Sequence, residues 1–114
     1  MAEDWDFYVT AVDEQPASIF VDLGQAATAP EKDRPQLLRV TVKMHVARDD
    51  GLSDDGETET LYAIEDELFA SVSRALRARY VGRLTTQGSR VYFYYGRAGD
   101  GFAALRRLAV TAEI

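Results

Sequence analysis

An α+β fold, in which one mostly antiparallel sheet carries helices, is predicted for this 114-residue chain by three patterns. Leu38, Val40, Val42, Met44 and Val46 alternate with Arg39, Thr41, Lys43 and His45, the spacing of a strand with one buried face. Thr58 to Tyr80 places Leu61, Ile64, Leu68, Val72, Ala75 and Leu76 on one side when wound at about 3.6 residues per turn, the spacing of an amphipathic helix. Two strand-like runs then follow, Tyr80 to Thr86 and Arg90 to Arg97, separated by a Gln87-Gly88-Ser89 turn.

The chain is long enough for a single domain, residues 1–114, burying roughly 65% of its unfolded surface. Asp4 to Val12 reads as a first strand, Asp13 to Pro16 as a polar turn, and Ala17 to Leu23 as a second strand, giving an N-terminal hairpin over about 4–23. Gly24 to Pro35, small, polar and Pro-bearing, reads as a loop. Thr58 is the expected N-cap of the long helix, with Glu57 and Glu59 favouring its dipole. Asp100 is expected to cap a second helix, Gly101 to about Leu108, and Val110 to Ile114 to form a last short strand. From Leu37 onward the order is therefore strand, helix, strand, strand, helix, strand. That is a ferredoxin-like split βαβ sandwich, core about 37–114, extended by the hairpin and with both helices expected on one face. Few residues follow the second helix, so the chain reads as truncated at the last sheet edge.

Composition narrows the chemistry. No run of 18 or more apolar residues is present, and the acidic opening Glu3-Asp4-Trp5-Asp6 is unlike a signal peptide, so the expectation is a cytoplasmic protein with no membrane partner. The absence of cysteine removes disulfides, thiolate metal ligands and thiol nucleophiles. The net charge of −6 disfavours nucleic acid, whose binding draws on displaced counterions. Six acidic residues lie between Arg48 and Glu59. As an EF-hand loop they fail: setting Gly56 at position 6 puts Gly51 at position 1 and Tyr62 at position 12.

A nucleophilic dyad needs a base, and His45 is the sole imidazole, with no second His to build a metal site. Gly96 to Gly101 has the place of a phosphate loop, yet no Lys-Ser/Thr follows and Asp100 stands where the anion would dock, so it reads as a turn and cap. No catalytic residue, metal site or cofactor is expected.

Two features remain. If the helices cover Val91, Phe93 and Tyr95, then Tyr92 and Tyr94 lie on the open sheet face near Arg39, Lys43 and His45, a ring-and-cation patch suited to a protein contact, a small anion, a nucleotide or single-stranded RNA. Glu65 falls inside the apolar helix stripe, where a carboxylate is costly unless paired. Arg83 interrupts a strand pattern in the same way, so the two are expected to form a structural ion pair beneath the helix.

The motifs W-D-F-Y (Trp5 to Tyr8), P-A-S-I-F-V-D-L-G (Pro16 to Gly24), D-G-L (Asp50 to Leu52), L-Y-A-I-E-D-E-L (Leu61 to Leu68), Y-V-G-R-L-T-T (Tyr80 to Thr86) and V-Y-F-Y-Y (Val91 to Tyr95) cover most of the chain. Together they resemble an uncharacterised bacterial family known only as a domain of unknown function. Members of that family continue past the second helix with a further strand and an acidic, aromatic-bearing segment. Its architecture is similar to that of the regulator of ribonuclease E, an acidic inhibitor with a ferredoxin-like domain. The resemblance implies no catalytic residues. The leading expectation is a non-catalytic interaction or regulatory module that engages an unidentified protein partner, or a second copy of itself, through the open sheet face or an exposed strand edge. The alternative is binding of a small anion, nucleotide or single-stranded RNA on the aromatic and basic patch.

Overall fold

The structure is a computed structural model and describes residues 3–25, 36–44, 47–75 and 77–97. Within them the fold is mixed α+β: a five-stranded antiparallel sheet packed against one helix. The strands are β1 (Trp5–Val12), β2 (Gln15–Asp22), β3 (Gln36–Lys43), β4 (Arg79–Thr86) and β5 (Ser89–Gly96). Their order across the sheet is β1-β2-β4-β5-β3. Because β3 and β4 both run antiparallel to the β5 that separates them, they are parallel to each other. The helix α1 (Asp55–Leu68), continued as a π-helical segment Phe69–Ala75, connects them, so this half of the domain is a split βαβ unit. The second helix expected at Gly101 to Leu108 and the strand expected at Val110 to Ile114 lie outside the described residues.

Both hairpin turns are tighter than the sequence suggests. Asp13 and Glu14 have φ of 51° and 66°, and Gln87 and Gly88 have 51° and 78°. Positive φ at both central residues defines the type I′ turn, whose twist matches that of the flanking strands. Gln15, Pro16 and Ser89, expected in turns, therefore belong to strands.

The helix starts earlier than the Thr58 cap predicts. Asp54 takes that role, its carboxylate accepting the Glu57 amide proton at 2.8 Å, while Asp55 and Glu57 in the first turn complement the dipole. At the far end Arg77, at φ 54°, reverses the chain, and the Ala78 amide donates to the Val72 oxygen at 3.2 Å.

The core lies between α1 and one sheet face. Leu38, Val40 and Val42 from β3 meet Leu61, Val72, Tyr92 and Tyr94. On β3 the burial alternates residue by residue, and Arg39 and Lys43 fall on the opposite, exposed face. Gly82 is required where β4 runs close against β2, beside a register shift in the β4–β5 ladder, since a Cβ there would stand 2.8 Å from the Phe20 carbonyl oxygen.

Candidate functional site

The tyrosines expected on the open face are inside. Tyr92 pairs with Val40 and Tyr94 with Leu38, so strand alternation sends both rings to the helix side, where each is 0% exposed. The Tyr92 hydroxyl donates to the Leu61 carbonyl oxygen at 2.9 Å and thereby ties sheet to helix. Burial holds both phenols above their ordinary pKa, and for Tyr94 the carboxylate of Glu65 adds to the effect. The patch expected from Tyr92 and Tyr94 with Arg39 and Lys43 therefore does not form: the two pairs occupy opposite faces of the sheet. His45 lies outside the described residues. On the far face Arg39 neighbours Phe93 across the β3–β5 ladder. That face has a shallow apolar depression of about 350 Å³, to which Ile19, Leu84, Phe93 and Tyr95 contribute.

Glu65 and Arg83 come together. Arg83 Nη1 donates to Glu65 Oε1 at 2.6 Å, and the Tyr80 hydroxyl donates to the same oxygen at 2.8 Å. The two charged side chains are 20% and 11% exposed, so the pair is largely removed from water. Arg83 also lies over the Phe20 ring, 4.5 Å from its centroid, and 5.5 Å from that of Tyr62. Burial opposes the charge of Arg83, but the hydrogen bond and attraction of Glu65 outweigh it and raise the guanidinium pKa. Burial also raises the Tyr80 phenol well above its usual range, with Glu65 adding to the shift. A carboxylate oxygen that takes one donor from Tyr80 and one from Arg83 ties β4 to α1.

The aromatic row over β2 and β4 was not legible as a unit. Trp5 stacks on Phe20 at 4.7 Å and meets Tyr80 at 5.3 Å, and Tyr80 stacks on Tyr94 at 5.0 Å. Only the strand register brings residues this distant in the chain onto one face. Arg90 is a second surprise: it is 5% exposed, with Nε donating to Thr85 Oγ1 at 2.8 Å. Its place in an alternating strand beside buried Tyr92 is the signal that would have marked it.

The remaining candidate is β1. Among the described residues it pairs with β2 alone, and it exposes Phe7 (55%) and Val9 (63%) on the helix side of the sheet and Tyr8 (45%) on the other. The type I′ turn makes Val12 and Gln15 a hydrogen-bonded pair, and the ladder ends with the Leu23 amide donating to the Asp4 oxygen at 2.7 Å. Alternation between these points aims the main-chain groups of Trp5, Phe7, Val9 and Ala11 away from β2. The Phe7 amide is occupied by its neighbour, donating to Asp6 Oδ1 at 2.9 Å. No helix among the described residues is long and apolar enough to cross a membrane.

These features define a small α+β domain whose polar cluster braces its interior and whose β1 edge exposes three large apolar side chains in a row. The chain belongs to a family of unknown function, DUF695, whose model matches residues 3–109. No curated protein and no solved structure matches it.

Proposed function

We propose that this domain is a non-catalytic protein-interaction module of the cytoplasm that receives a partner strand along the outer edge of β1. One observation carries the reading: an eight-residue edge strand exposes three consecutive large side chains, Phe7, Tyr8 and Val9. A long edge with unpaired main-chain groups and apolar side chains templates another strand unless it is blocked. The split βαβ unit and the attached hairpin support a ferredoxin-like arrangement, in which the edge at β3 is the one a further strand of the same chain would join. That arrangement leaves β1 as the edge for partners.

The test is affinity capture from the source cell with the unmodified domain and with Val9→Pro. Val9 sits in a pair whose main-chain groups point outward, so proline removes a docking donor and no bond to β2. A protein retained by the first and lost by the second is expected. The same proteins retained by both would remove β1 from the reading.

A further inference from the structure

The partner chemistry can be narrowed further, resting on the edge-docking reading above. Residues 3–25 carry Glu3, Asp4, Asp6, Asp13, Glu14 and Asp22 and not one Lys or Arg. Asp22 is buried, and its carboxylate accepts the amide protons of Asp4 at 2.8 Å and Gly24 at 3.0 Å. The other five are exposed and sit at the two ends of β1: Glu3, Asp4 and Asp6 at its start, Asp13 and Glu14 at the turn. Between them stand the exposed apolar side chains.

We infer that the β1 edge takes an extended peptide segment of another protein, apolar in its middle and carrying Lys or Arg at both ends. Strand addition would supply main-chain hydrogen bonds from Val9 and Ala11, whose outward groups no side chain among the described residues occupies, and the flanking cations would meet carboxylates at each end. In the register centred on Val9, a second copy of this chain is the poorer occupant. Antiparallel pairing about Val9 would set Asp4 of one copy opposite Glu14 of the other, twice over by symmetry, and like charges opposed across strands repel. Parallel pairing would oppose each carboxylate with itself.

The experiment uses fluorescence anisotropy with the full chain and three labelled peptides sharing an alternating Val-Thr centre, flanked by two lysines, two serines or two glutamates at each end. The lysine peptide is expected to bind about tenfold more tightly than the serine peptide at low salt, to lose most of that margin at high salt, and to lose binding to Val9→Pro. A double variant, Asp13→Lys with Glu14→Lys, should bind the lysine peptide several-fold more weakly while its circular dichroism is unchanged. Equal binding of the lysine and serine peptides, lost in Val9→Pro, would overturn the cationic partner and leave edge docking standing. Binding of none of the peptides, or binding unaffected by Val9→Pro, would overturn both. A dimer in light scattering that Val9→Pro abolishes would replace the peptide by a second copy.

Discussion

Arg83 on β4 donates to Glu65 on α1 across 2.6 Å, in a place where both side chains are mostly shielded from water. Each residue breaks an apolar pattern in its own element, and each is tolerated because the other is there. Tyr80 shares the carboxylate oxygen, and Phe20 and Tyr62 lie against the guanidinium. Helix and sheet are therefore joined by a directional contact as well as by apolar burial, which fixes their relative position more narrowly than burial alone.

Removing the carboxylate is expected to cost more than removing the pair. Glu65→Leu leaves a shielded guanidinium and the Tyr80 hydroxyl without their acceptor, and should lower unfolding free energy by about 3 kcal/mol. Glu65→Gln keeps an acceptor and should lose less. The double variant Glu65→Leu with Arg83→Met should recover part of the loss. Denaturant unfolding measures all three, and no loss in Glu65→Leu would show that the pair contributes nothing.

Alkaline pH should weaken the fold through its tyrosines. The phenols of Tyr80, Tyr92 and Tyr94 are held above their ordinary pKa of 10.0, first by burial. The folded chain thus keeps protons that the unfolded chain releases, so this stabilisation is complete below about pH 10 and falls as pH rises beyond it. Unfolding free energy should be flat approaching that pH and then decline steeply, with the tyrosinate absorbance of these rings emerging only as the chain unfolds. A smooth tyrosinate titration of all six tyrosines while the circular dichroism stays native would contradict this.

The helix start depends on Asp54. Its carboxylate accepts the Glu57 amide proton, so Asp54→Ala should cost about 1 kcal/mol, whereas Thr58→Val, at the position the sequence favours for the cap, removes a hydroxyl contact with Ser53 Oγ at 2.7 Å and should cost less. Thermal melts of the two variants decide between the caps.

Gly82 holds β2 and β4 together by what it lacks. A methyl group there would press on the Phe20 carbonyl at 2.8 Å, so one of the strands must shift. Gly82→Ala should lose about 2 kcal/mol. Faster amide hydrogen exchange confined to the β2–β4 ladder would locate the damage, and an unchanged exchange pattern would argue against a local clash.

How much was legible in the residues differs from element to element. The alternation of Leu38, Val40 and Val42 with Arg39, Thr41 and Lys43 identified both a strand and its buried face, because only one of the two sets is apolar. The stripe of Leu61, Ile64, Leu68 and Val72 identified the helix in the same way, and the carboxylate within it pointed to Arg83. On β5 the same reasoning had no purchase: Val91, Phe93 and Tyr95 on one side and Tyr92 and Tyr94 on the other are all large and apolar enough to bury. What settled the matter was the pairing of Tyr92 with Val40 and Tyr94 with Leu38, which carried the orientation of the unambiguous strand to its neighbour. The exposed edge at β1 has the same origin. Trp5 to Val9 spell a strand in isolation, but whether it lies inside a sheet or along its rim depends on the order in which distant strands pair, a long-range contact that no local pattern encodes.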